Sequence, residues 1–247
     1  MSAQRVYIHE LIDIIGNNRA RYLHHMTANW GPIGRAERHQ LCFGVWGVVG
    51  STGRWPAVVN LWEYESWEAI GANFGVELAS PSMQDPSLAE WWAVAGSLRS
   101  GGVDRILVAP DWSPSIGELC AEGAVGSAGY CHELVRCAPG AGPELLESVR
   151  QGALPAYAQA GLDLVGAFAR AMADDDELVL IWSFRDWATW ARFEERSLED
   201  SPVRAWRAEV RPEVASWERV LLVDAEFAPL RTGRQPEASD RRPLDDL

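Results

Sequence analysis

The sequence predicts an α+β protein made of two tandem βαββαβ units, and three recurrences predict it. Tyr7-Ile8-His9-Glu10-Leu11 returns 123 residues later as Tyr130-Cys131-His132-Glu133-Leu134. Val58-Val59-Asn60-Leu61-Trp62-Glu63-Tyr64-Glu65-Ser66-Trp67 returns after 120 residues as Leu178-Val179-Leu180-Ile181-Trp182-Ser183-Phe184-Arg185-Asp186-Trp187. Asp104-Arg105-Ile106-Leu107-Val108 returns after 114 residues as Glu218-Arg219-Val220-Leu221-Leu222. Three blocks in order, with an offset that drifts by a few residues, are the mark of a duplication with small loop deletions.

Each copy opens with an alternating apolar strand, residues 5–14 and 129–137. A helix follows at about 18–30 and 143–160, and Gly31, Pro32 and Gly34 punctuate its end in the first copy. Two strands joined by a turn come next, at 42–49 and 57–64, then 163–171 and 177–184. Hairpin-type residues Ser51-Thr52-Gly53-Arg54 and Ala173-Asp174-Asp175-Asp176 separate them. Ser66 and Asp186 are suited to cap the next helix, because their side chains can accept from its free N–H groups. Trp67, Ile70 and Phe74, or Trp187 and Trp190, follow at helical spacing. A further helical stretch holds Trp91-Trp92 or Trp206. A last strand closes each unit at 105–109 or 219–223. This is the ferredoxin-like order, one sheet with helices on one face. The other face is apolar and must be covered, and two such sheets packed face to face cover each other. Residues 1–110 form the first unit, 111–127 a linker, 128–229 the second unit, and 230–247 an aperiodic charged tail expected to be disordered.

Composition narrows the function. The chain has 247 residues and a formal net charge of −13, which argues against nucleic acid or anionic membrane as a partner. No apolar run is long enough to span a bilayer, and the N-terminus lacks a signal-peptide core, so a cytoplasmic location is expected. Lysine is absent altogether. That excludes an internal Schiff base and a Walker-type phosphate loop. Cys42, Cys120, Cys131 and Cys137 form no C-x-x-C pair and read as thiols rather than a disulfide framework.

Strand alternation sorts the candidate residues. Glu10 shares a face with Val6, Ile8 and Ile12, so its carboxyl must be hydrogen-bonded, paired with arginine or protonated. A desolvated carboxyl of that kind can serve as general acid or base, and a buried Glu–Arg pair is the structural alternative. His9 and His132 point the other way and can meet across the sheet–sheet interface, as core histidines or as a proton shuttle. His24 and His25 fall at the edge of the first helix's apolar stripe. Catalytic candidates are therefore Glu10, His25, His24 and His9. Tyr22, Trp46, Asn60, Trp62, Tyr64 and Trp91 are the candidate walls of a pocket for a flat apolar ligand. Leu180 and Phe184 replace Asn60 and Tyr64 in the second copy, which places the functional cleft in the first. His9 and Glu10 point to opposite faces and cannot share a metal, so no metal site is expected.

The Tyr7…Glu10-Leu11 strand and the Leu61-Trp62-Glu63-Tyr64-Glu65-Ser66 junction resemble the NIPSNAP family of the dimeric α+β barrel superfamily. The resemblance implies a pseudo-dimeric α+β barrel made by one chain, as a monomer or a homodimer. It implies several activities, among them cofactor-free monooxygenases of antibiotic biosynthesis, isomerases and polyketide cyclases, and it includes proteins with no assigned chemistry. The two-repeat haem relatives use a helical histidine in the second copy, whereas the only histidine there is His132, on a strand. No cofactor is therefore expected, with haem as the minority alternative. The reading that follows is a small-molecule enzyme of specialised metabolism, acting by acid–base chemistry on an apolar, aromatic or polycyclic substrate. A non-catalytic ligand-binding or assembly protein is the alternative.

Overall fold

The computed structural model describes residues 4–247. Eight strands close into one barrel in the order β1-β3-β2-β8-β5-β7-β6-β4. The first copy supplies β1 (Val6–Ile14), β2 (Leu41–Val48), β3 (Ala57–Tyr64) and β4 (Arg99–Val108). The second supplies β5 (Gly129–Cys137), β6 (Leu162–Arg170), β7 (Glu177–Phe184) and β8 (Val214–Asp224). Within each copy the pairing is long and antiparallel, with β1 between β3 and β4, and β5 between β7 and β8. The seams between copies are short. β2 meets β8 through Trp46–Asp224, Gly47–Val223 and Val48–Leu222, and β4 meets β6 through Leu107–Arg170 and Val108–Ala169.

The helix after β1 is interrupted in both copies. In the first, α1 (Arg19–His24) and α2 (Gly31–Glu37) flank a π-helical stretch, His25–Trp30. In the second, α6 (Gly142–Ser148) and α7 (Leu154–Gln159) flank another, Val149–Ala153. A wide turn of this kind rotates the following side chains, and its presence in both copies makes it an inherited feature. The later helices are α3 (Trp67–Glu77) and α4 (Ala89–Leu98), then α8 (Trp187–Leu198) and α9 (Pro202–Val210). The expected caps form: Ser66 accepts from Ala69 N–H at 3.2 Å, and Asp186 from Thr189 N–H at 2.7 Å.

Three apolar clusters follow from this arrangement. One fills the barrel, with Tyr7, Phe43, Trp46, Tyr130 and Phe168 among its members. The others lie between each half-sheet and its helices. Gly44 and Gly166 precede Trp46 and Phe168 by two residues, each beside a break in strand register. A Cβ at either glycine would sit 2.1 or 2.4 Å from the aromatic ring, so only glycine lets these rings fold back over their own strands.

Two connecting segments depart from expectation. The linker contains α5 (Ile116–Ala121), with a full Ser115/Glu118 capping box. It closes one end of the barrel: Ile116 packs in the barrel cluster and its N–H donates to Glu63 Oε2 at 3.1 Å. The tail is ordered rather than disordered. Gln235 brackets Cys42, accepting from its N–H at 2.9 Å and donating to its carbonyl at 2.8 Å. Pro236 packs against Gly31, 3.0 Å from where a Cβ there would be, and Arg242 N–H donates to His24 Nε2 at 3.2 Å. Composition misleads here because the tail is held by specific polar contacts to the first copy, which leave no periodic pattern in sequence.

Candidate functional site

A cavity of about 310 Å³ lies between the first half-sheet and its helices. Ile8, Glu10, Trp62, Asp104 and Ile106 line it from the sheet, Met26 and Trp30 from the π-helical stretch, and Trp91 and Trp92 from α4. Gln40, Asn73, Phe74, Glu77, Arg99 and Arg105 complete it. The helix packing explains its shape. Trp91 stacks between His25 and Trp30, 4.7 Å from each ring, and Trp92 meets Trp91 edge-on at 4.9 Å.

Glu10 stands at the sheet wall. Both of its hydrogen bonds arrive at Oε2, from Trp62 Nε1 at 2.7 Å and Asn60 Nδ2 at 2.9 Å. Asn60 donates also to the Tyr22 hydroxyl at 3.1 Å. Directly across the β1–β4 ladder from Glu10 is Asp104. Like charges facing each other on one sheet face are unfavourable. Burial, then the Asp104 charge, hold the Glu10 carboxyl above the usual carboxylate range against the lowering effect of its two donors. Asp104 is raised as well, by burial. The site therefore has a carboxyl that is oriented, reluctant to ionise and open to the cavity. Trp91 Nε1, Trp92 Nε1 and Asn73 Oδ1 are buried and find no hydrogen-bond partner among the described residues.

The second copy encloses its glutamate: a pocket of about 420 Å³ lies beside Arg207, Trp217 and Arg219, but Glu133 is fully buried and is not among its walls. Glu133, at the position of Glu10, faces Arg219 across the β5–β8 ladder and pairs with it, the Arg219 Nε donating at 2.8 Å. Trp182 Nε1 donates to the same carboxylate at 3.0 Å, and Arg207 lies 3.7 Å away. The Arg207 guanidinium sits over Tyr157, Phe193 and Trp217 at 5.5 to 5.7 Å. Sequence similarity set Arg105 against Arg219. The ladders place Asp104 opposite Glu10 and Arg219 opposite Glu133, so the true equivalent of Arg219 is Asp104. The one-residue slip hid the most important difference between the copies. Pairing each glutamate with its ladder partner would have revealed it.

Other candidates disperse. Glu10, Trp62 and Trp91 line the cavity, and Asn60 and Tyr22 support Glu10 from behind. Tyr64 accepts from Gln40 at 2.7 Å and buttresses the wall without lining it. Trp46 lies in the barrel cluster, not the cleft; every residue of β2 after Leu41 is buried, so apolarity does not mark its inner face. His24 is capped by the tail and set against Phe227 at 5.7 Å. His25 stands behind Trp91, its Nε2 at 3.2 Å from the Trp91 carbonyl, with burial lowering its pKa to about 4. His9 is inside the barrel, where its Nε2 meets His132 Nε2 at 2.8 Å. The residues missed by sequence are Asp104, Arg99, Trp30 and Trp92. The helix against the second sheet carries no histidine and His132 faces the barrel, so the residues present offer haem no axial imidazole in that cleft. Among the described residues no three His, Cys, Asp or Glu side chains group as a metal site, and no helix is long and apolar enough to cross a membrane.

Fold and cleft together define a tandem α+β barrel in which the first copy carries a cavity between sheet and helices. Residues 134–229, most of the second copy, match the NIPSNAP family model. No curated protein matches the chain. Among solved structures it is similar to a candidate monooxygenase of Fusobacterium nucleatum subsp. nucleatum, with 13% identity, TM-score 0.61, and coverage of 96% of this chain and 99% of that one. A candidate monooxygenase of Lactobacillus acidophilus is 9% identical, TM-score 0.60, over 93% and 98% of the two chains. An anthrone oxidase-like protein is 12% identical, TM-score 0.60, over 90% and 94%. These likenesses establish the shared two-copy fold.

Proposed function

We propose that the chain is a small-molecule enzyme whose first cleft removes a proton from an activated carbon of an apolar, ring-containing substrate. The observation that carries this reading is the exchange of the arginine that faces Glu133 for the aspartate that faces Glu10. An arginine there makes a structural ion pair. Burial together with an aspartate there makes a carboxyl of raised proton affinity, a stronger base than an ordinary glutamate.

The step is a simple transfer. The Glu10 carboxylate takes the proton of a carbon next to a carbonyl, and the C–H electron pair moves into an enolate. Trp91 and Trp92 line the cavity and hold the rings. Returning the proton to another carbon is an isomerisation. Attack of the carbanion on a second carbonyl is a cyclisation. Transfer of its electrons to O₂ is a cofactor-free oxidation. The anthrone oxidase-like neighbour supports a tricyclic ketone as the first probe. The second copy would then serve as the structural half of the barrel. Four free cysteines, three of them buried, suit a reducing cytoplasm.

The test is deuterium exchange at the methylene carbon of anthrone in D₂O, followed by NMR under argon. We expect exchange above background with the native chain and background exchange with Glu10→Gln. Equal rates for the two proteins, with anthrone bound by both, would leave a ligand-binding function and remove the catalytic one.

A further inference from the structure

We infer that the open end of the barrel is a second small-molecule site, separate from the helix–sheet cleft, which takes a neutral aliphatic or alicyclic molecule carrying one hydroxyl group. The barrel ends differ. One is closed by α5 and the linker around Glu63. The other holds a cavity of about 490 Å³, lined by Leu11, Val48, Ala57, Val103, Leu134 and Val220, with His132 among its walls.

The two copies show why it is open. At this end Arg105 pairs with His9 across its ladder, and Val220 pairs with His132 in the same way. Glu177 faces Arg136, and Ala57 faces Asp13. Ala169 faces Leu178 as Gly47 faces Val58, so Arg170 and Val48 correspond. Arg105, Glu177 and Arg170 form an ion cluster, joined by Arg136, whose Nε donates to Glu177 at 3.2 Å. It fills its half of the barrel mouth. Their counterparts Val220, Ala57 and Val48 are all apolar and all line the cavity. The same three positions thus make a charged plug on one side and an apolar chamber on the other.

The polar groups select the ligand. His132 is 1% exposed and its Nε2 is taken by His9, but its Nδ1 has no hydrogen-bond partner among the described residues. The shared Nε2 contact needs one imidazole to donate and the other to accept. Two neutral rings satisfy this whichever of them donates. A hydroxyl, which can donate or accept, suits His132 Nδ1 in either tautomer. Burial lowers the pKa of His132 to about 4, so the ring offers no positive charge to a carboxylate. Asp13, Glu218, Arg54 and Arg219 line the same cavity, but Arg54 is paired with Asp13 at 2.8 Å and Arg219 with Glu133 and Glu194, so neither guanidinium is left unpaired for an anion. The walls named above are aliphatic, without an aromatic platform.

Calorimetric titration of the full chain with 1-octanol tests the assignment, with octanoate as the comparison. We expect saturable octanol binding, and affinity for octanoate at least about tenfold weaker because its charge enters without an unpaired counter-ion. Val103→Trp should abolish octanol binding; Val103 is 54% exposed at the rim, so the larger side chain needs no repacking. Ala57→Glu with Val220→Arg, which rebuilds the ion cluster of the other half, should do the same. Absence of saturable octanol binding, binding that survives Val103→Trp, or octanoate binding as tightly as octanol would each overturn the assignment. None of these outcomes bears on proton exchange at Glu10, so the two sites stand or fall separately.

Discussion

Glu10 and Glu133 occupy one position in two copies of the same fold, accept from equivalent tryptophans, Trp62 and Trp182, and face opposite charges. Around Glu133, two arginines and a ring of aromatic side chains seal the carboxylate from the neighbouring pocket. Around Glu10, one aspartate replaces the nearer arginine and a cavity remains. The difference teaches how a buried carboxyl becomes structural or chemical. The hydrogen bonds from tryptophan are common to both, so they orient the group without deciding its role. The charge across the ladder decides it.

The comparison can be broken most sharply at the two glutamates. Glu10→Gln should lower the rate of proton exchange by about 10²–10⁴-fold, the range for loss of a general base, with little change in melting temperature. Glu133→Gln should spare exchange but destabilise the fold by about 3 kcal/mol, measured by urea unfolding, because Arg219 is left buried without its main partner. Equal effects of the two variants on exchange would refute the division of roles.

A smaller effect is expected from moving the charge. Asp104→Arg gives Glu10 the partner that Glu133 has, lowers its proton affinity and weakens it as a base. We expect about tenfold slower exchange and a stability gain within about 1 kcal/mol. The pH dependence sharpens the same point. Because the folded-state pKa of Glu10 is raised, its favourable contribution is complete below the unfolded value and disappears as pH rises through the folded one. Native protein should thus lose stability relative to Glu10→Gln as pH rises across that window. His132 behaves oppositely. Its pKa is lowered from 6.5 to about 4, so its contribution is present above 6.5 and is lost as pH falls toward 4. Urea unfolding of native protein should show that decline, and His132→Phe should flatten it.

Much of this was legible in the residues. The repeat, the strand order and the inward meeting of His9 and His132 follow from block order and two-residue alternation. So does the grouping of Glu10, Asn60 and Trp62, which lie on adjacent strands with matching parity. Asp104 was hidden because the best sequence match aligned Arg105 with Arg219, and register is set by backbone pairing rather than by likeness of side chains. Trp46 was misplaced because both faces of its strand are buried, which removes the alternation. The tail was misread because its anchors, such as Gln235 on Cys42, are single polar contacts between segments far apart in sequence. His25 was overvalued because helical phase places it near the cleft but cannot show Trp91 standing in front of it.

Joining the copies in one polypeptide has an evolutionary consequence. In a homodimeric barrel any substitution appears twice, so an aspartate that opens one cleft also unsettles the other, and an arginine cluster that closes one mouth closes both. A fused pair escapes that symmetry. Each half can drift under its own selection, one conserving the scaffold while the other explores new chemistry, provided that the seams at Trp46–Asp224 and Leu107–Arg170 and the side chains that meet inside the barrel, such as His9 and His132, stay compatible.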